Sequence, residues 1–497
     1  MKVKSLIIKP IAKWISRKVY QTQSDALEIQ EKTLQNLVSM AKSTVFGKDF
    51  SFDEIKEYKD FKAQVPVKDY EQLRPYFDRI VAGESDICWQ GKPLYFAKTS
   101  GTTSGAKYIP ITKDSIQHHM TAARNALLCY VAETGKADFF DGKMIFLQGS
   151  PEMAKTNGID TGRLSGIVYH HVPKWLMSNR KPSFVTNCIE DWEKKLNNIV
   201  AETIDEDMTL ISGIPPWCVM YFERLLEKST AKDIQSIFKN FKLFVYGGVN
   251  YAPYRQKIES LIGFPIDSIE TYPASEGFFA YQDSQEEQGL LLNVDAGIFY
   301  EFVPTTEIFN INPTRLSLAE IELNKNYVLI ASTNAGLWAY NTGDTVKFVS
   351  KSPYRILVTG RVKHFISAFG EHVIAEEVEH AMTTAAKEFD IEIVEFTVAP
   401  FISEDKTQES YHEWCIEAKD NTEINTTKLS QRIDEILQSK NVYYQDLRAG
   451  NILALPKITW IKNGGFMHYR EQAGKLGGQN KVQHLANDRK LVNQLLT

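Results

Sequence analysis

Four short segments hold the residues with the most evident capacity for chemistry. Lys98-Thr-Ser-Gly-Thr-Thr-Ser-Gly-Ala-Lys107 packs two glycines, five hydroxyls and a lysine at each end into ten residues. Glycines let a backbone come close to a polyphosphate, while amides and hydroxyls donate to its oxygens. Only three residues separate Gly101 from Gly105, and Tyr108 follows Lys107, so the spacing is not that of a P-loop. A Ser/Thr-rich surface turn is the competing reading. Tyr246-Gly-Gly-Val249 follows an apolar run, and Glu270-Thr-Tyr-Pro-Ala-Ser-Glu-Gly277 follows another. An aromatic beside glycines can form a slot for a base, and a lone glutamate near phosphates can hold Mg²⁺ through oxygen. Tyr340-Asn-Thr-Gly-Asp344 presents a carboxylate suited to both hydroxyls of a ribose. Each piece alone is weak, because Gly-Asp is a common turn and Ser-Glu-Gly can cap a helix.

These segments need a scaffold, and 497 residues are too many for one compact core. Apolar runs at 144–147, 209–212 and 243–246 are each followed by Gly, Pro or Ser and then by an amphipathic stretch. Buried strands alternating with helices predict an α/β sheet with helices on its faces, and ligands in such folds sit beyond the carboxyl ends of the strands. Residues 25–41 read as a helix capped by Ser24. Beyond residue 360 the texture changes: helices at 375–389 and 429–438 and strands at 393–402, 413–419 and 452–461 predict a compact α+β unit. The expected division is 1–360 and 361–497, with a short hinge at Gly360-Arg361.

Charged residues make up 24% of the chain and its net charge is −5, so no basic domain or stripe points to nucleic acid. Five scattered cysteines show neither zinc spacing nor a disulfide framework, and a cytoplasmic location is expected. No run approaches the length of a membrane span. Residues 1–20 carry six basic and no acidic side chains among Leu6, Ile7, Ile8, Ile11, Trp14, Ile15 and Val19. Lys9, Pro10 and Lys13 interrupt the apolar run, which argues against a signal peptide. The expectation is a helix packed on the large domain with its basic face in water; a weak peripheral membrane contact is the alternative.

The order of the four segments resembles the motifs of the adenylate-forming superfamily, which includes acyl-CoA synthetases, luciferases and peptide-synthetase adenylation domains. Gly360-Arg-Val-Lys-His-Phe-Ile-Ser-Ala-Phe-Gly-Glu-His-Val373 is similar to that superfamily's hinge and is followed by a glutamate-rich helix (Glu376, Glu377, Glu379). Within it, Thr44-Val-Phe-Gly-Lys48, Phe61 to Tyr70, Ile80-Val-Ala-Gly-Glu84, Ile211-Ser-Gly-Ile-Pro-Pro-Trp217 and Gly474-Lys-Leu-Gly-Gly-Gln-Asn-Lys-Val482 resemble the auxin-responsive family of acyl acid amido synthetases. The resemblance runs from about residue 40 to about residue 490.

It implies a large N-terminal adenylate-forming domain with mixed sheets and flanking helices, and a smaller, mobile α+β C-terminal domain. It also implies a monomeric ligase forming carbon–nitrogen bonds: ATP and Mg²⁺ activate a small carboxylic acid as acyl-AMP, and an amine, usually of an amino acid, displaces AMP. By the same resemblance Ser100, Thr102, Thr103 and Ser104 hold phosphates. Gly248, Val249 and Tyr272 frame the adenine, with Ser275 beside them, and Glu276 helps hold Mg²⁺. Asp344 takes the ribose. Lys481 comes from the small domain to the α-phosphate and the attacking carboxylate, where a fixed cation lowers the transition-state energy. Lys481 lies about 120 residues past the hinge, so closure must bring it in, with Arg361, Lys363 and Gly370 near the pivot.

Two positions depart from the family pattern: Gln483-His484 stands where Pro-Arg is usual, and Asn341 where Arg is common. Both bear on loop rigidity or phosphate contacts. Arg361 or Arg470 could pair with an amino-acid carboxylate. Trp217, Met220, Tyr169, His170 and Val172 lie in segments that could line an acyl pocket, although core packing explains each as well. The rival functions are an acid–CoA ligase sharing the adenylation step and a non-catalytic nucleotide or acid sensor.

Overall fold

The computed structural model describes residues 3–102, 105–248, 251–362, 365–366, 368–371, 373–403, 409–419, 425–472 and 482–496. Two helices, α1 (Val3–Ser24) and α2 (Ala26–Ala41), come first. α1 runs through Ser24, whose hydroxyl donates back to the Gln21 carbonyl at 2.7 Å, and Asp25 occupies the N-cap position of α2. The expected Ser24 cap is therefore wrong: the preceding helix claims that residue.

Two glutamines fasten this helical pair to the sheet. Gln23 donates to the Leu292 carbonyl and accepts from the Tyr354 amide; Gln30 donates to Val294 and Ile298 and accepts from Tyr300. Both are buried, and their amides satisfy strand-edge groups that would otherwise be orphaned.

The strands β1 (Tyr95–Thr102) and β2 (Gly105–Ile111) form an antiparallel hairpin, joined by Ile159–Gly162 and Ala154–Thr156 in a separate four-stranded sheet. Helix α3 (Lys113–Thr134) follows, with Thr112 and Ser115 in a reciprocal capping box and left-handed Gly135 ending it.

Eleven strands make the main sheet. In chain order the labelled ones are β3 (Lys143–Phe146), β4 (Met208–Ser212), β5 (Leu243–Gly247), β6 (Asp267–Ala274), β7 (Gly277–Tyr281), β8 (Leu290–Leu292), β9 (Ile298–Pro304), β10 (Asn326–Thr333), β11 (Tyr340–Lys351) and β12 (Tyr354–Arg361). Across the sheet the order is β9-β10-β11-β12-β8-β7-β6-β5-β4-β3, ending on Arg180–Lys181. From β3 to β6 the pairing is parallel, and from β6 to β9 it is antiparallel.

The parallel strands are the apolar runs of the sequence, because helices cover both faces. Among these helices are α4 (Trp192–Thr203), α5 (Pro215–Lys228) and α6 (Ala252–Ile262).

After β12 come α7 (Ala375–Glu388), β13 (Ile393–Phe401), β14 (Tyr411–Ala418), α8 (Thr426–Lys440), α9 (Val442–Ala449) and β15 (Lys457–Trp460). The strand expected over 452–461 is only four residues long, since Leu453 and Ile452 instead close the turn after α9 by bonding to Leu447. The core under α5 and α6 continues through Ile366, Phe369 and Val373 into this unit.

Candidate active site

The Asp344 carboxylate is presented by a bent strand. In β11, Gly343 has φ +80°, the left-handed region that glycine enters without strain, and the pairing with β10 shifts register there. Asn341 Oδ1 accepts from the Gly343 amide at 2.9 Å, and Thr342 Oγ1 accepts from the Asp344 amide at 3.2 Å while donating to the Leu329 carbonyl at 2.8 Å. The Asn341 amide donates to the Lys68 carbonyl at 2.8 Å, so the Val-Pro-Val-Lys68 stretch clamps the turn from outside. Asn341 thus props up the turn that aims Asp344, a role compatible with its short side chain.

Asp344 is buried, 6% exposed, and among the described residues each of its two oxygens has one side-chain donor. The Tyr272 hydroxyl donates to Oδ2 at 2.6 Å, and the Arg361 guanidinium donates to Oδ1. Burial, and then the Asp344 charge, push the Tyr272 phenol well above its usual range, so it remains a donor at neutral pH. A carboxylate has about four acceptor positions, so one on each oxygen is left over. Two vicinal hydroxyls require that pattern.

Tyr272 arrives on β6 beside β5, where Gly247 pairs with Thr271. A Cβ on Gly247 would lie 2.4 Å from the Thr271 carbonyl oxygen, so only glycine allows these strands to close. Gly248, next in the chain, lies against Ile214, and Val249 lies outside the described residues. Ser275 and Glu276 form the two-residue tip between β6 and β7, with Ala274 paired to Gly277. The tip is a hairpin, so the helix-cap reading of Ser-Glu-Gly does not hold.

Tyr340 is a contributor that the sequence reading passed over. It is fully buried. Burial raises its phenol well above the usual range and the Glu276 charge raises it further, which puts that carboxylate nearby. A buried phenol beside a carboxylate fits a polyanion carrying Mg²⁺. Among the described residues no three acidic, His or Cys groups gather as a metal cage, so phosphate oxygens and waters would complete the shell around Glu276. The only signal for Tyr340 was its place in the Asp344 motif.

The hydroxyl-rich segment is not a free loop. Lys98 pairs with Tyr108, Thr99 with Lys107 and Thr102 with Gly105, making it the tip of the β1/β2 hairpin. Thr103 and Ser104 lie outside the described residues, and only the backbone of Ser100 and Thr102 is described. Lys481, Lys363 and the side chain of Arg470 are also outside them. Arg361 pairs with Asp344, and the Val362 amide donates to the Gly343 carbonyl at 2.8 Å, so the expected hinge begins on the Asp344 turn itself. Gly370 lies just beyond, with φ +93°.

Past Lys481 the chain lies against β13. The Val398 amide donates to the His484 carbonyl at 2.9 Å, the Ala486 amide donates to the Val398 carbonyl, and Thr397 Oγ1 donates to the Gln483 carbonyl at 2.7 Å. His484 stacks on Phe396 and bonds Glu379 at 2.8 Å and Glu395 at 2.9 Å. The hydrogen bond to Glu395, outweighing partial burial and aided by Glu379, holds the imidazolium above its ordinary range. The unusual Gln483-His484 pair therefore supplies its own anchor.

Of the suggested acyl-pocket residues Tyr169 is buried, Val172, Trp217 and Met220 are half-buried and His170 is exposed. Trp217 lies 4.8 Å from Trp192, Arg180 covers Tyr169 at 4.0 Å, and His170 bonds the Pro151 carbonyl. Nearby, Arg163 pairs with Asp446 and stacks on Tyr443 of α9, and Tyr254 donates to the Ala368 carbonyl. Lys195 is 4% exposed, and burial lowers its ammonium to about 8. Neither Arg163 nor Lys195 carried a motif signal.

Models of three domains of one family match this chain in order: the GH3 family N-terminal domain over residues 15–185, the central domain over 291–361 and the C-terminal domain over 376–490. Jasmonoyl–L-amino acid synthetase JAR4 of Nicotiana attenuata is 22% identical over 456 residues, covering 77% of this chain and 78% of its own. Indole-3-acetic acid-amido synthetase GH3.3 of Arabidopsis thaliana is 23% identical over 541 residues, covering 91% and 88%. Among solved structures, the AtGH3.15 acyl acid amido synthetase in complex with 2,4-DB superposes with a TM-score of 0.63 at 16% identity, over 98% of this chain and 96% of that one. A 2-hydroxyisobutyryl-CoA ligase in its thioesterification state gives 0.57 at 13% identity, over 98% and 92%. The latter shares the fold, while the three consecutive domain matches are specific, and on them the chain is a member of the GH3 family.

Proposed function

We propose that this chain is an ATP-dependent acyl acid amido synthetase. A carboxylate oxygen of a small acid attacks the α-phosphorus of ATP and pyrophosphate leaves, giving acyl-AMP. The amine of an amino acid then attacks the acyl carbon, AMP leaves, and the amine gives up a proton as the amide forms. The relatives' activities supply the reaction class. The observation in this chain that carries it is Asp344, held by Tyr272 and Arg361 with one acceptor free on each oxygen.

Within this reading Mg²⁺ would sit at Glu276 and offset phosphate charge during pyrophosphate departure. Tyr340 would donate into the same region. Ser100, Thr102, Thr103 and Ser104 would present the hairpin tip to the phosphates, while Gly248, Val249, Tyr272 and Ser275 would border the base. Lys481 would stabilise charge on the attacking carboxylate and α-phosphate. Residues 1–360 and 361–497 would act as two domains, closure excluding the water that hydrolyses a mixed anhydride. The free cysteines suit a reducing cytoplasm.

The test supplies a panel of acids with ATP and Mg²⁺ and follows pyrophosphate exchange, then adds amino acids or CoA and weighs the product. Acid-dependent exchange and an amide mass are expected. A thioester with no amide refutes the amine half, and ATP binding without exchange for any acid refutes catalysis. Lys481→Ala should slow adenylation by about 10²-fold while sparing breakdown of supplied acyl-AMP; equal losses in both steps would remove the lysine from the first.

A further inference from the structure

One face of α1 has no role in the reaction. Its inner face is fixed: Ala12 and Ile15 are buried against α3, the Tyr20 hydroxyl donates to Asp283 at 2.6 Å, and Gln23 is tied to the sheet. The outer face is thereby held in one orientation. Ile7, Ile11, Trp14 and Lys18 follow at spacings of four, three and four residues and form one line along the helix. Ile7 is 57% exposed, Ile11 46% and Trp14 59%, with Leu6 at 50% beside them. Scattered exposed apolar residues are ordinary, but a contiguous stripe with a tryptophan is not.

The charges around this stripe have one sign. Lys9, Lys13, Arg17 and Lys18 are exposed, and α1 has no acidic residue, although the whole chain is net −5. The Lys18 ammonium lies over the Trp14 ring at 5.1 Å, and none of the four cations has a carboxylate partner among the described residues. Lys13 and Arg17 overlook a groove of about 430 Å³ whose other walls include Glu133 and Asp283. Those carboxylates are engaged elsewhere, Glu133 by Ser284 and Gln285, and Asp283 by Tyr20 and Arg355.

We infer that α1 is a docking surface for a membrane face rich in anionic lipid. It would lie flat, with Ile7, Ile11 and Trp14 at the level of the acyl chains and Lys13, Arg17 and Lys18 among the headgroups. A tryptophan suits that boundary because its ring is apolar and its N–H is polar. No described helix is long and apolar enough to cross a membrane, so the contact is peripheral. An aqueous protein partner would leave the uniform positive charge without a stated purpose; an anionic surface complements all of it.

The experiment sediments the full chain with vesicles of phosphatidylcholine alone, or mixed with phosphatidylserine. Binding to the mixed vesicles and not to the neutral ones is expected. Replacing Lys13, Arg17 and Lys18 by Gln should weaken binding by about fivefold per residue, roughly a hundredfold together. Ile11→Ser with Trp14→Ser should abolish binding, and both variants should keep wild-type pyrophosphate exchange. If a variant fails to fold, the wild type still decides: raising salt from about 0.1 to 1 M should release it from the vesicles. Equal binding to neutral vesicles, no binding to either, or self-association through the stripe that the Ser variant relieves would each overturn the inference.

Discussion

Asp344→Asn tests the nucleotide assignment most directly, because it keeps the shape of the side chain and changes only charge and one acceptor. In the structure one carboxylate oxygen takes the Tyr272 hydroxyl and the other takes Arg361, leaving one position per oxygen for a ribose hydroxyl. An amide at this position keeps one of those oxygens and turns the other into a donor. One charge-assisted hydrogen bond is lost, at a cost of about 1.5–3 kcal/mol. The KM for ATP in pyrophosphate exchange should therefore rise by roughly ten- to a hundredfold. A rise alone would be ambiguous, since Arg361 also loses its counter-charge. Comparing ATP with 2′-deoxy-ATP and 3′-deoxy-ATP resolves this as a coupling measurement. The wild type should prefer ATP over at least one deoxy analogue by about tenfold, and Asp344→Asn should lose most of that preference. If both proteins discriminate equally, Asp344 does not touch the ribose and the site has been assembled incorrectly.

Gly247→Ala places a Cβ 2.4 Å from the Thr271 carbonyl oxygen, so β5 and β6 must part. A stability loss of about 1–3 kcal/mol in urea unfolding and a weaker grip on ATP are expected; an unchanged KM would separate this joint from the base. Glu301→Gln leaves Arg315 buried without the carboxylate it now grips at 2.8 and 2.7 Å, and should cost about 3–5 kcal/mol in the same assay. Arg315 also donates to the Val65 carbonyl, upstream of the Lys68 clamp, so pyrophosphate exchange should fall too. His484 has a folded pKa above its unfolded value of about 6.5. Its contribution is therefore complete below that value and is lost as pH climbs through the folded one. Stability in urea unfolding should fall over that rise, and His484→Gln should flatten the profile.

The legible parts of this fold were those where one physical demand dominates. Strands β3, β4 and β5 must be apolar throughout because helices cover both faces, so short runs such as Leu243-Phe-Val-Tyr246 identified them. The C-terminal helices announced themselves by periodicity for the same reason. Competition between elements was not legible: nothing local distinguishes Ser24 ending one helix from Ser24 beginning the next. The 98–107 segment read as a loop because its glycines and hydroxyls suit turns, yet hairpin pairing between its two halves makes most of it strand. Tyr340 was hidden because its place beside Glu276 is a property of the assembled fold. Arg163 and Lys195 acquire theirs only from contact with α9 and with distant carbonyls.

The two glutamine fastenings of α1 and α2 govern the order in which this protein can be made. Gln23 waits for the Tyr354 amide, 331 residues downstream. At about 5–20 residues per second, a ribosome needs roughly fifteen seconds to a minute to deliver that partner. Until α3 is made, Ala12 and Ile15 lack the surface that buries them, and after that Gln23 still lacks its last partner. The groups that receive Gln23 and Gln30 come from residues 292–354, so this fastening of α1 and α2 is among the later contacts to form. Chains truncated before β12 should emerge as clients of chaperones, with α1 as the segment that is held.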